Sequence, residues 1–342
     1  MNRTLIAAAA ALLVISLSAI AFALLHMNQF LSTPLTVEAD GTSFEIETGT
    51  AFGEISRKLE EAGIVSSADL LRWYARWSDR ASSVQAGEYL IASGTTPVEL
   101  LEQFTSGSVR LYSFTIIEGW NHRDLLNALQ SHPQLTVQMT DEDWPALLSE
   151  LGAETRHPEG LFLPETYRFA KGTSDRALLM QAYEHMQIAL SDEWAGRDTT
   201  SPVKTAYEAL ILASIVEKET ARADEREKIA GVFARRLVKR MRLQTDPTVI
   251  YGIGPSFNGN LTRSDLRTDT PYNTYTRHGL PPTPIALPGR AAIHAALHPA
   301  AGEELYFVAT GLSDGSHKFS TTKDEHDAAV REYLQRLRKR GR

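Results

Sequence analysis

From Leu5 to Leu25 the chain is predominantly apolar, and after Arg3 no side chain is charged, counting His26 as neutral, until Glu38. About 20 apolar residues suffice to cross a bilayer core, whereas the core of a secretory leader usually covers about 7–15. The run therefore predicts an uncleaved single-pass anchor through residues 5–25, with a leader cut after Ala23 as the alternative. The positive residue before the span keeps the N-terminus in the cytoplasm and places everything from Leu31 onward outside it.

Beyond the span the pattern becomes that of a water-exposed protein. Leu31 to Ser43 is polar, with Pro34 and Gly41, and reads as a linker. Phe44 to Glu47 has the look of a strand. Ala51 to Ala62 places Phe52, Ile55 and Leu59 on one helical side, with Gly63 as the stop. Ser66 to Trp77 repeats that spacing through Leu70, Leu71, Trp73, Tyr74 and Trp77, and Gly87 to Gly94 returns to a strand. The order is β-α-α-β. A weak echo of extended segment, glycine and amphipathic helix recurs at Gly49, Gly94 and Gly119. Its spacing is irregular, which reads as repeated βα units rather than a solenoid.

Farther along, Asp141 to Arg156 is acidic and helical, and His157 to Phe169 is aromatic and interrupted by prolines. Helices are predicted over Asp175–Leu190, Pro202–Thr220 and Ala223–Leu243. A hairpin follows at Leu305–Gly311 and His317–Thr322, then a closing amphipathic helix over Asp324–Arg340. Met241–Gly254 and Thr270–Gly289 read as long loops dense in Pro, Gly, Tyr, Thr and Asn. The fold class is α+β.

Composition narrows the function. Of 342 residues 43% are hydrophobic and 23% charged, ordinary values that leave room for two domains beyond the anchor. A net charge of −7 argues against nucleic acid as the main partner. The absence of cysteine removes zinc–thiolate sites, disulfides and thiol nucleophiles. The ten histidines are scattered without a His-Glu-x-x-His pattern, so no metal is expected, and no glycine-rich phosphate loop occurs. The basic run Arg235, Arg236, Lys239, Arg240 and Arg242 reads as a solvated or ligand-facing side of a helix.

The chemistry concentrates in "ASIVEKETA", Ala213 to Ala221. The preceding helix is apolar nearly all round and is expected to be buried, with Ser201 as cap and Pro202 at its first position. At about 100° per residue, Glu217 and Glu219 point about 200° apart and cannot share one task. Glu219 follows Val216, Ile215 and Leu212, the bulkier stripe; Glu217 follows Ser214, Ala213 and Leu210. A carboxyl against apolar walls has its pKa raised, as a general acid acting on a glycosidic oxygen requires. Two ordinary charges at a fraying helix end would give the same letters. The loops downstream supply flat rings and amides of the kind that orient sugars.

Together "ASIVEKET", "RLQTDPTVIYG" and "YNTY…GLPPTPIALPG", with "EGLFLPETYRF" and "LYFVATG…HKFSTT", resemble the endolytic murein transglycosylases, the YceG-like family, along essentially the whole chain. The β-α-α-β segment is similar to LysM modules, which lie on N-acetylglucosamine-rich glycans, although a ligand-free spacer has the same pattern. The resemblance implies residues 1–30 as cytoplasmic tip and anchor, 31–43 as linker, 44–110 as a LysM-like module and 111–342 as the catalytic domain. Within the last, 111–155 forms a second βα unit and connector.

The resemblance also implies cleavage of the N-acetylmuramic acid to N-acetylglucosamine bond in nascent peptidoglycan, with Glu219 as the single acid/base and no cofactor. Glu217, Gln244, Asp246, Thr248, Tyr251, Tyr272, Asn273 and Tyr275 are expected to line the cleft. The enzyme would sit in the inner membrane with its catalytic domain on the periplasmic side, beside the glycan-polymerising synthases. A muramidase-like hydrolase using Glu219 with Asp246, or a membrane-anchored peptidoglycan-binding scaffold without catalysis, are the rival functions.

Overall fold

The computed structural model describes residues 3–340. Met1 and Asn2 of the expected cytoplasmic tip, and Gly341 and Arg342 of the expected catalytic domain, lie outside the described residues. So does the side chain of Arg3, on which the orientation across a membrane rested.

The chain divides into two compact units. One runs to Tyr112 and adds Arg168–Lys171; the other comprises Ser113–Tyr167 and everything from Gly172. The first begins with α1 (Arg3–Ser32). Within it, Ile6–Ser32 is apolar enough to span a membrane, its most apolar 18-residue window having a mean hydropathy of 2.6 and being wholly exposed. It is therefore a candidate membrane span or signal sequence. The last turn behaves differently. Phe30 is buried and joins Leu35, Ile46, Leu59, Tyr89 and Phe104 in one core cluster. Leu35 N donates to Thr95 O (2.7 Å) and Thr36 N to Ile64 O (3.2 Å). The segment expected as a linker is thus tied into the core where it starts, because Leu35 is too apolar to stay in water.

β1 (Thr42–Ile46) pairs antiparallel with β2 (Gly87–Ile91), Phe44 opposite Tyr89. Between them lie α2 (Phe52–Glu61) and α3 (Ala68–Trp77) in the expected order; α2 buries Ile55 and Leu59 as its spacing predicted, whereas α3 buries Ala68, Leu71 and Ala75 and leaves Trp73 and Trp77 of the expected apolar side exposed. The Ser67 hydroxyl caps α3. α4 (Pro97–Ser106) starts at a capping box between Thr96 and Glu99 and stops at Gly107, whose φ of 71° is open to glycine at little cost. β3 (Leu111–Thr115) pairs with β4 (Thr166–Ala170), a strand hidden in sequence by the prolines before it.

In the second unit α5 (His122–Gln130) is capped by Asn121, and α6 (Trp144–Glu150) follows a single 3-10 turn, so the acidic stretch is less helical than expected. α7 (Asp175–Ala195), α8 (Ala206–Glu219), α9 (Arg226–Val238) and α11 (Arg290–Leu297) pack together, with α8 innermost. α10 (Asp246–Ile253) occupies much of a stretch expected as loop. Pro247 lies in its first turn, where a missing N–H costs nothing. The absent Cβ of Gly252 admits Thr270 and Tyr272, whose atoms lie 3.1 Å from where it would stand. β5 (Tyr306–Ala309) and β6 (His317–Ser320) form the expected hairpin, and α12 (Lys323–Arg340) packs on it. Helices with small two-stranded sheets make the architecture mixed α+β.

Candidate active site

α8 starts at Ala206, four residues later than the sequence suggested. Thr205, not Ser201, is the cap, its hydroxyl accepting from Glu208 N at 3.1 Å. From Ala209 to Val216 every residue is buried. One polar group in that stretch, Ser214, is satisfied twice: its hydroxyl donates to Ile211 O (2.7 Å) and accepts from Ile285 N (2.9 Å). This pins the proline-rich loop to α8, since an unpaired buried amide is costly.

Glu219 is the last residue of α8, and Thr220 beyond it is already extended. Glu217 and Glu219 part company as the helical phase required. The Glu217 carboxylate accepts from Gly289 N (3.0 Å), at the start of α11. Burial raises its pKa, while the Gly289 amide opposes that rise. Glu219 accepts a hydrogen bond from the Thr245 hydroxyl. Burial of its carboxyl is the main cause of a raised pKa; the Thr245 bond opposes it, nearby Asp246 adds to it, and His317 and Arg236 lower it. An edge of Glu219 stays open to a hollow of about 510 Å³ walled by Ile117, Gly119, Thr220 and Arg226.

The group that meets Glu219 is placed by an unusual backbone. Gln244 adopts φ 49°, a left-handed conformation that costs a non-glycine residue roughly 1–2 kcal/mol. Its N–H donates to Thr274 O (3.2 Å), and Thr245 N donates to Thr274 Oγ1 (3.1 Å). The chain thereby turns so that Thr245, the residue before α10, directs its hydroxyl at Glu219 instead of capping its own helix.

The other expected cleft residues fall into two groups. Gln244 and Asp246 are exposed, and Asp246 Oδ1 accepts from the Tyr275 hydroxyl at 2.6 Å. Burial, then this bond, pushes the Tyr275 pKa up. Thr248 and Asn273 instead belong to the framework, a correction to their expected place lining the cleft. Thr248 Oγ1 donates to Thr245 O (2.8 Å) and shares a bond with Thr274 Oγ1 (2.8 Å). Asn273 is fully buried; its amide nitrogen bonds the carbonyls of Asp265, Leu266 and Thr268, and its oxygen accepts from Tyr275 N. Tyr272 bonds Thr283 Oγ1 (2.9 Å) and meets the Tyr251 ring edge-on.

Tyr251 leads to a cluster that sequence reasoning missed. Its hydroxyl donates to Glu159 Oε2 (2.9 Å), and Glu159, wholly buried, also meets His122 Nδ1 (2.7 Å) and accepts from His122 N. The partners stand 37 and 92 residues away, beyond any local pattern. Tyr251 also walls a second hollow, of about 590 Å³, with Asn121, Arg123, Asn127 and Phe257. Lys218, whose Nζ donates to Gly119 O (3.0 Å), borders both hollows and forms a rib between them.

Two further groups near Glu219 were not expected. His317 on the hairpin is held by buried Glu225, through its N–H (3.0 Å) and Nδ1 (2.7 Å). Arg236, expected on a solvated face, is buried. Its Nε donates to Leu305 O (2.7 Å), its Nη1 to Leu243 O (2.6 Å), and its guanidinium lies 5.2 Å from the Tyr306 ring centroid. Arg235 likewise donates to Glu304 O and Ala300 O. These two arginines cross-link backbone segments and are not available to a glycan. The expected helix through Leu243 ends at Val238, and Arg240 follows in a left-handed turn at φ 52°.

Comparison with known proteins identifies the family. The model of the YceG-like family matches residues 44–332. An endolytic murein transglycosylase of Bacillus subtilis (strain 168) is 30% identical over 309 residues, covering 85% of this chain and 84% of the relative. One of Streptococcus pneumoniae serotype 2 is 28% identical over 324 residues, covering 84% of this chain and 58% of the relative. A crystal structure of a YceG-like protein from Listeria monocytogenes superposes with a TM-score of 0.54 at 28% identity, covering 85% of this chain and 99% of that one. A family match over most of the chain, a relative at 30% identity and a shared fold leave one assignment: this chain belongs to the YceG-like family.

Proposed function

We propose that the protein is a membrane-anchored endolytic murein transglycosylase. It cleaves the bond from N-acetylmuramic acid to N-acetylglucosamine inside peptidoglycan strands, with Glu219 as the single acid/base. The observation that carries this reading is the setting of Glu219. Its carboxyl, at the end of a buried helix, has its pKa raised by burial and holds a hydroxyl donor at one oxygen, and the residue that carries it borders a hollow.

The acid protonates the glycosidic oxygen while the bond to C1 of the muramic acid breaks and positive charge develops there. The carboxylate so formed is stabilised by the Thr245 hydroxyl. It then takes the proton from the 6-hydroxyl of the same sugar, whose oxygen closes on C1 to give a 1,6-anhydro ring. The proton lost in the first step returns in the second, and no water is consumed. The nucleophile is tethered to the reacting carbon, which replaces the second carboxylate a hydrolase needs.

Asp246 lies within electrostatic reach of Glu219 and supports the hydrolytic alternative. Its bond to Tyr275 gives it the more obvious task of placing that ring. In this reading residues 44–110 are a glycan-binding LysM-like module, residues 111–342 are the catalytic domain, and α1 holds both on the extracytoplasmic face. Gln244, Tyr251, Tyr272 and Tyr275 border the bound strand, and Glu217 sets the loop before α11.

The test is digestion of purified peptidoglycan by the full chain in detergent, beside Glu219→Gln, with product ends read by mass spectrometry. Anhydro ends that vanish in the variant are expected. Reducing ends would mean hydrolysis and implicate Asp246; bound but intact strands would mean a scaffold.

A further inference from the structure

We infer that the aromatic face of α3 lies in the water interface on the extracytoplasmic side of the membrane that α1 spans, packed against phospholipid beside the exit of α1. The inference rests on the reading of α1 as a membrane span. A hollow of about 710 Å³ opens between the two helices, walled by Ile20, Phe22, Met27 and Leu31 on one side and Trp73 and Trp77 on the other. Trp73 is 54% and Trp77 71% exposed, and their rings stack 6.3 Å apart. Tyr74 meets Trp77 at the same centroid distance.

Two stacked indoles left in water are a poor arrangement for a soluble surface. They are the arrangement that membrane–water interfaces favour, where an apolar ring and a polar N–H each find their medium. The depth fits as well. The expected hydrocarbon crossing ends near Leu25, and the hollow is walled from Ile20 to Leu31, the last turn of the crossing and the turns just beyond it. Arg76, exposed on the same helix between the two tryptophans, has no acidic partner among the described residues, whereas Arg72 pairs with Asp69. It is free to meet a lipid phosphate.

Lipid is the occupant the walls select. Except for His26, Asn28 and the Tyr74 hydroxyl they offer hydrocarbon and aromatic rings, and one wall is continuous with the span itself. A sugar would require hydroxyl partners that those walls supply poorly.

The experiment uses the full chain in vesicles of phosphatidylethanolamine and phosphatidylglycerol, with and without lipids brominated near the top of the acyl chain. Bromine should quench tryptophan emission in the wild type. In Trp73→Phe/Trp77→Phe, which keeps the rings apolar, that loss of emission should disappear while Trp120, Trp144 and Trp194 still emit. Carbonate extraction is run on the same vesicles to establish whether α1 is embedded. Embedded protein whose emission ignores bromine overturns the inference and leaves the anchor standing. Extracted protein overturns both. Emission that ignores bromine but shifts with chitin oligosaccharides would make the two rings a sugar platform and overturn the inference in favour of glycan.

Discussion

Thr245→Val tests whether the hydroxyl facing Glu219 tunes the acid. The change is nearly isosteric and leaves the backbone bond from Thr245 N to Thr274 intact. It does not uncap α10 either, because the Thr245 side chain makes no cap bond there. What it removes is one donor to the Glu219 carboxylate. A hydrogen bond to a charged group is worth about 1.5–3 kcal/mol and roughly half that when the partner is neutral. The difference, about 1–1.5 kcal/mol, corresponds to roughly one pKa unit.

The sign follows from which form the bond favours. It stabilises the charged carboxylate and so holds the pKa down; without it the pKa, already raised by burial, rises further. In the proposed mechanism the acid step needs the protonated form of Glu219, so activity is expected to fall as pH increases through this pKa. In Thr245→Val that descending limb should move up by about one unit. The maximal rate should fall as well, since the carboxylate left by the first transfer has lost its donor. The assay is the pH profile of kcat/KM for release of anhydro-ended fragments, with Thr245→Ser as the variant that keeps the hydroxyl. An unmoved basic limb in Thr245→Val, at reduced or unchanged rate, would refute the assignment of that limb to Glu219.

Glu159→Gln should lower stability by about 1–3 kcal/mol, because a buried acceptor for His122 and Tyr251 is replaced by a group that also donates; an unchanged urea midpoint would sink this account. Arg236→Ala should cost about 3 kcal/mol or more by stranding the carbonyls of Leu243 and Leu305, and Arg236→Lys should recover little, lacking the planar fork. Urea unfolding decides whether lysine rescues, which would favour a purely electrostatic role. Asp269 is held down to about 2 by the guanidinium of Arg277 and the hydroxyl of Thr276. Its folded pKa is below its ordinary value, so the support it gives is present above about pH 4 and lost as pH falls toward about 2. Amide exchange across residues 269–277 should speed up in that window, and should be pH-insensitive there, once corrected for intrinsic rates, in Asp269→Asn.

The helical phase of Glu217 and Glu219 was legible because it is local: 100° per residue suffices to put them on different faces, and the structure gives them different partners, Gly289 and Thr245. The order β1-α2-α3-β2 was legible for the same reason. α10 was not, since proline, glycine, threonine and tyrosine are letters that loops also use, and only the packing of Gly252 against Tyr272 shows why a helix tolerates them. Arg235 and Arg236 misled in another way. A run of cations usually means a wet face, but these two donate instead to the carbonyls of Leu243, Ala300, Glu304 and Leu305. Glu159 heads the segment EGLFLPETYRF, yet its task, like those of His122 and Glu225, could not be read from the letters, because their partners are brought together only by the fold.

Because α1 enters the core of its unit without a loose joint, the proposed span would make bilayer thickness a mechanical input. A flexible connection of roughly 13 residues would let an attached body wander by about 20 Å. Here Phe30 and Leu35 share a core with Tyr89 and Phe104, so the small unit must lean whenever the helix leans. With α1 as the proposed span, a thinner membrane obliges it to tilt and a thicker one draws it upright. The unit would then act as the head of a lever, its height and lean above the lipid set by the membrane in which the protein sits.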